Sequence, residues 1–275
     1  MEELKVGDQV LSSRTNDDEV RYQTVYAFAH VDRTRSTKFL QFFLGDSDSD
    51  EAALEMSAQH FVYSADKDHP VRADSIRVGD LLQTRSANSY SQQSTTVKVA
   101  SIRSITKKGL YAPLTQDGSL LVGENDVVAS NYVTIQKNAD TTGGYRKDND
   151  DEHIRLAIIG TIPWIHQADL THLWLSPLRL MCTVNHQLSI CTNHNQDGML
   201  YYVAWGFWLV EILEQQPLWS QLLVLTPAVV LLSCCTLLEG LLIGNRSSWW
   251  YVTFVIATGM ILRFLWLLGR KKSVV

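Results

Sequence analysis

Cysteine is scarce in this chain and comes late. There are four, Cys182, Cys191, Cys234 and Cys235, and none falls in the first 136 residues. Their spacing matches no zinc site, and Cys234-Cys235 sit inside an apolar run where a disulfide framework is not expected. Excess positive charge is also lacking. A net charge of −5 without a basic patch argues against a nucleic-acid partner. An apolar leader is missing too: Met1 to Asp8 is polar and reads straight into a fold rather than as a signal peptide. His30 and His69 could join Asp32 and His60 around a metal, but no ligand spacing supports this, and no cofactor fingerprint is present.

What the chain does contain is one phrase said twice. Leu4-Lys5-Val6-Gly7-Asp8-Gln9-Val10-Leu11 returns as Ile76-Arg77-Val78-Gly79-Asp80-Leu81-Leu82, 72 positions later. A Gly-Asp pair inside an apolar run marks a tight turn feeding a strand, since Gly takes positive φ and Asp binds nearby backbone. Each copy is followed by a β-branched and aromatic run, Arg21 to Phe28 and then Thr95 to Ile102. Phe39–Leu44 with Leu54–Tyr63, and later Ser119–Val128, read as strand pairs around polar tips. The pattern predicts an all-β domain of pseudo-twofold, duplicated design over residues 1–136. Asp46 to Glu51 reads as a solvated acidic loop, and residues 137–165 as an acidic linker.

The C-terminal part has another composition. Leu222 to Ile243 is 22 residues interrupted by small polar groups, Pro227 and Glu239; Trp249 to Leu268 is 20 residues with one charge, Arg263. Both are long enough for a bilayer core of about 30 Å. Glu239 and Arg263 could pair across this hairpin. Met199 to Leu213 is shorter and reads as an interfacial helix or a third span. Residues 199–270 are therefore expected to form a membrane region of two or three transmembrane α-helices, with the bilayer as partner. Arg270-Lys271-Lys272 predicts a cytosolic C-terminus for a multi-pass protein.

Four segments together resemble the Hint module, the autoprocessing domain shared by hedgehog C-terminal regions and inteins, and the hedgehog branch in particular. They are the duplicated halves, Ser57-Ala58-Gln59-His60, the run Gly109-Leu110-Tyr111-Ala112-Pro113-Leu114-Thr115-Gln116-Asp117-Gly118, and Val127-Val128-Ala129-Ser130-Asn131-Tyr132. His172-Leu173-Trp174-Leu175-Ser176-Pro177-Leu178-Arg179-Leu180 resembles a segment that follows the module in that branch, placed here in residues 166–198.

The resemblance implies self-cleavage of a peptide bond through a thioester, with the chain's own N-terminal segment as substrate. His60 is then the general acid near neutral pH, Ser57 holds the scissile amide, and Asp32, after the strand ending at Ala29, activates the second nucleophile. That nucleophile is a sterol or another lipid hydroxyl, or else water or a thiol. Thr171 to Cys182 is apolar enough to lie on a membrane surface and recruit it. The family's catalytic Cys lies well upstream of the first Val-Gly-Asp turn, whereas six residues precede Gly7. The spacing predicts a true start further upstream, with this chain inactive as written. The alternative is a degenerate module serving as a membrane-tethered scaffold. Asn131, where the hedgehog branch has a second Cys, reads as a polar strand-end residue.

Overall fold

The computed structural model describes residues 2–13, 20–45, 54–85, 95–133 and 166–243. Among these residues ten strands precede five helices. The strands are β1 (Gln9–Ser13), β2 (Val20–Thr24), β3 (Ala27–Leu44), β4 (Leu54–Ser57), β5 (His60–Val62), β6 (Val71–Arg72), β7 (Leu81–Thr84), β8 (Thr95–Leu114), β9 (Ser119–Val122) and β10 (Val127–Val133). The helices are α1 (Gln167–Trp174), α2 (Ser176–Val184), α3 (Ser189–Thr192), α4 (Tyr201–Glu214) and α5 (Leu218–Ile243).

The repeated phrase builds the same turn twice. Gly7 and Gly79 take φ of +97° and +99°. The Lys5 amide donates to the Asp8 carboxylate and the Arg77 amide to that of Asp80, both at 2.8 Å. Asp8 N–H returns to the Lys5 carbonyl and Asp80 N–H to that of Arg77, both at 3.1 Å. Each turn then grips the strand beyond: Gly7 and Asp8 bind Val25 on both sides, and Gly79 and Asp80 bind Val99 likewise. Copied chemistry thus gives copied geometry, down to the register of β1 on β2 and β7 on β8.

The halves join through β3 and β8, antiparallel over nearly their whole length, within a sheet ordered β4-β3-β8-β7-β10-β5-β6 with β9 on β10. Two expectations need correcting. The strand expected to end at Ala29 continues to Leu44, so Asp32 lies inside β3, beside an irregularity between Asp32 and Ser36. The single strand expected over Leu54–Tyr63 is two: β4 pairs β3, whereas β5 pairs β10 and β6.

Two hydrophobic cores result. One is wholly β: Phe42, Leu44, Leu54, Met56, Val62, Ile76, Leu82, Val99 and Val127 are among its members. The other is shared between the sheet and the helices, joining Tyr26, Phe61, Leu114 and Tyr132 to Ala168, Leu175, Leu178, Cys182, Cys191 and Leu200. Leu175 and Leu178 are thereby buried against the β domain, and Leu173 is buried as well. Pro177 sits in the first turn of α2, where its missing N–H costs no hydrogen bond.

Cys182 and Cys191 form a disulfide that clips α2 to α3, a pairing the sequence reading did not assign. Helix α5 covers the first apolar run and packs on α1 and α2. There Glu239 pairs with Arg179 rather than with Arg263, which lies outside the described residues together with the second apolar run, the acidic loop and the linker. Among the described residues no helix is both long and apolar enough to cross a membrane. Helix α4, at 14 residues, is about 21 Å long and falls short of a bilayer core.

Candidate functional site

Ser57 ends β4 and His60 begins β5, so the two flank a two-residue break where the chain leaves one strand pairing for another. The chain changes partner at this point: β4 is the edge strand beside β3, and β5 lies between β10 and β6. His60 Nε2 lies 2.6 Å from the Ser130 carbonyl of β10. A carbonyl only accepts, so Nε2 carries the proton, and the lone pair of the neutral ring sits on Nδ1. Burial pushes the His60 pKa below its ordinary value, and the bond to Ser130 offsets this in part. The resting ring is therefore neutral near pH 7. It is a proton acceptor first, and becomes an acid only after taking up a proton.

The Ser130 carbonyl is itself firmly placed. Ser130 is fully buried; its hydroxyl reaches the Gly118 carbonyl at 3.4 Å and accepts from Tyr132 N–H at 3.2 Å. Asn131 N–H donates to the Gly118 carbonyl at 2.9 Å, and Asn131 Nδ2 to Thr115 Oγ1 at 2.8 Å. Asn131 is thus an interior residue of β10, not its end.

Asp32 stands apart from this arrangement. It is half-buried on β3, and its Oδ1 accepts from Thr34 N–H, Thr34 Oγ1 and Arg35 N–H at 2.8 to 3.0 Å. These bonds, the Thr34 amide foremost, hold its pKa below the usual carboxylate range. His30, two residues earlier, is buried. Burial lowers its pKa. Among the described residues no hydrogen bond or ion pair joins Asp32 to His60 or Ser57.

The stretch of β3 that carries His30 and Asp32 is completed by a segment the sequence reading left without a role. His194 Nε2 lies 2.9 Å from the Phe28 carbonyl, Leu200 N–H donates to Ala29 at 2.9 Å, and Val31 N–H to the Gly198 carbonyl at 2.7 Å. Gly198 has φ of +78°, and a Cβ there would run into the Val31 carbonyl. Among the described residues no group of three His, Cys, Asp or Glu side chains is disposed to hold a metal ion.

A family model of the Hint module matches residues 1–141. The chain belongs to the Hint module family. Warthog protein 4 of Caenorhabditis elegans is 30% identical over 133 residues, which cover 44% of this chain and 23% of that protein. Protein hedgehog of Drosophila erecta is 29% identical over 135 residues, 48% of this chain and 28% of that one. This Hint chain therefore spans about a quarter of the length of these relatives. Among solved structures, an intein from a hyperthermophile aligns with 44% of this chain and 70% of its own, at 16% identity and a TM-score of 0.35.

Proposed function

We propose that this Hint module carries the proton-transfer half of an autocleavage site that severs the peptide bond to a segment N-terminal to it. The observation that supports this best is His60: a neutral ring, its Nε2–H engaged by the Ser130 carbonyl, with Nδ1 available as a base. In a precursor that supplies a Cys ahead of residue 1, the thiol gives its proton to Nδ1 and the sulfur attacks the preceding carbonyl. The C–S bond forms, and the imidazolium passes the same proton to the amide nitrogen, which leaves as an amine when the C–N bond breaks. Proton delivery to nitrogen is the difficult part, because an amide anion is a very poor leaving group. Ser57 holds the scissile amide through its hydroxyl. Asp32, half-buried and ionised, meets the second nucleophile, which we take to be a lipid hydroxyl.

The helical half supports a location at a bilayer. Tyr201, Trp205 and Trp208 recur at i, i+4 and i+7 on α4 and are each at least half exposed, the pattern of an interfacial anchor. The Cys182–Cys191 disulfide favours an oxidising compartment for this part of the chain.

The test is a precursor with its upstream Cys in place, treated with hydroxylamine. Release of an N-terminal fragment is expected, slowed about 10²-fold or more by His60→Ala. A precursor that releases nothing, or releases equally well without His60, supports the competing reading of a non-catalytic membrane-tethered module. Labelled sterol in the released fragment identifies the second nucleophile; cleavage without label assigns that role to water or a thiol.

A further inference from the structure

Three motifs far apart in the chain meet in one buried polar cluster. The first is Gly118, the last residue of the Gly109–Gly118 run. Its φ is +75°, and a Cβ there would stand 2.6 Å from Tyr132 Oη and 3.0 Å from His172 Nδ1. The second is Tyr132 on β10, whose Oη lies 2.6 Å from His172 Nδ1. The third is the His172–Leu180 segment, which supplies both His172 and Arg179.

Arg179 Nη1 donates to the His172 carbonyl at 3.1 Å and approaches His172 Nδ1 at 3.5 Å. Arginine only donates, so Nδ1 accepts, and the Tyr132 hydroxyl donates to it. The guanidinium then forks onto Glu239 of α5, Nε to Oε1 and Nη2 to Oε2, the latter at 2.8 Å. Tyr132, His172, Arg179 and Glu239 are each at most 5% exposed. Burial alone would weaken the charge on Arg179, and Glu239 more than restores it.

This cluster abuts the backbone that orients His60. Tyr132 is two residues from Ser130, whose carbonyl takes the His60 Nε2–H. Gly118 faces the cluster with its Cα and binds Asn131 N–H and the Ser130 hydroxyl with its carbonyl. On the other side of His60, Phe61 packs edge-on against His166, the residue that caps α1. The helices thus hold both strands that meet at His60.

We propose that Tyr132, His172, Arg179 and Glu239 are positioning residues for His60, so that α1, α2 and α5 complete the His60 site instead of serving only as an appended recruiting arm. Their work is to fix the Ser130 carbonyl, which selects the Nε2–H tautomer and keeps the Nδ1 lone pair free. This rests on the reading of His60 as the proton carrier.

The experiment is ¹⁵N-histidine NMR on the full 275-residue chain. It compares the native chain with Tyr132→Phe, which deletes a single oxygen, and with Arg179→Lys, which keeps the charge but loses the fork. Tyr202→Phe, which removes a bond to the Trp174 carbonyl away from β10, is the control. The native chain is expected to show His60 as one Nε2–H tautomer with slow ring-proton exchange. Tyr132→Phe and Arg179→Lys mix the tautomers and speed that exchange tenfold or more, while Phe42 and Leu82 amides stay protected. Tyr202→Phe leaves His60 unchanged. If His60 keeps its tautomer and exchange rate in Tyr132→Phe while His172 signals move, the proposal is wrong, and this variant decides even where Arg179→Lys loosens the helices. No cleavage step enters this readout. Failure here therefore leaves the hydroxylamine result standing, and a precursor that cleaves without His60 sinks the catalytic reading alone.

Discussion

The two cores hold this molecule together by different chemistry. Around Phe42, Leu82 and Val99, all fully buried, the β core is a cluster of apolar side chains with no ion pair or disulfide among its members. The shared core places an Arg–Glu pair, a Tyr–His bond and a disulfide among its leucines. An apolar core loses stability in proportion to the atoms removed, and tolerates repacking. A core built on a buried ion pair behaves otherwise: removing one partner strands the other charge, whereas removing both does not. The first kind of core makes a scaffold. The second makes a junction that holds only when its separate segments all arrive.

The sharpest way to separate them is to damage each once. Phe42→Ala is expected to cost about 3–5 kcal/mol by leaving a cavity, and no second substitution nearby should restore it simply. Arg179→Ala should cost a similar amount, about 3–5 kcal/mol, through the uncompensated Glu239 carboxylate. The double replacement Arg179→Met with Glu239→Leu should recover most of that loss. Urea denaturation of the three variants checks it. A double variant as unstable as Arg179→Ala would mean that the pair acts by shape rather than by charge.

Opening the disulfide comes next. The loop between Cys182 and Cys191 is short, with a sequence separation of 9, so its closure restricts the unfolded chain by about 2.5 kcal/mol. Replacing both cysteines by Ser should lower the stability of the shared core by about that much. The β core should not respond, and amide exchange resolved by residue would show the asymmetry.

A smaller effect compares the two copies of the turn. Gly7→Ala and Gly79→Ala each force a Cβ into positive φ, and nothing lies within 4 Å of either new atom. The cost is then backbone strain alone, about 1–2 kcal/mol, and should be the same at both sites. Unequal losses in thermal unfolding would show that one half of the repeat bears strain that its twin does not.

The β core was legible in the sequence because its cause is periodic. Alternation along Thr95–Ile102 and the repeated Gly-Asp turns are local signals, and they produced the turns and strands found. The shared core left no such trace. Arg179 and Glu239 are 60 residues apart, and each reads sensibly on its own, one in an apolar motif, the other as an awkward charge in an apolar run. Leu173, Leu175 and Leu178 were equally suited to lipid or to a protein interior, and composition does not distinguish the two. Cys182 and Cys191 lay outside the apolar runs, which was the one available hint of their pairing. Of the candidate site, Ser57 and His60 came from the resemblance to the Hint module, but the Ser130 carbonyl that sets the His60 tautomer is backbone and has no signature in residue type.

The slightest effect is on acid stability, and it tests whether His60 belongs to the junction energetically. Burial depresses the pKa of both His60 and His30 in the folded chain. Above the unfolded value of about 6.5 both states are neutral and these histidines contribute no pH dependence. As pH falls below that value the unfolded chain takes up protons that the folded chain resists, so stability falls, and goes on falling until the folded pKa is passed. Asp32, depressed by its own turn, adds a loss of the same sign in a more acidic window, as pH drops below the ordinary carboxylate value. His60→Gln can offer a side-chain N–H to the Ser130 carbonyl and cannot titrate. It should flatten the first limb of the stability curve, read from unfolding midpoints between pH 7 and 5, and leave the Asp32 limb, read at more acidic pH, alone. A first limb of undiminished slope in His60→Gln would assign that acid sensitivity to His30, on the strand beside Gly198, and detach it from the His60 site.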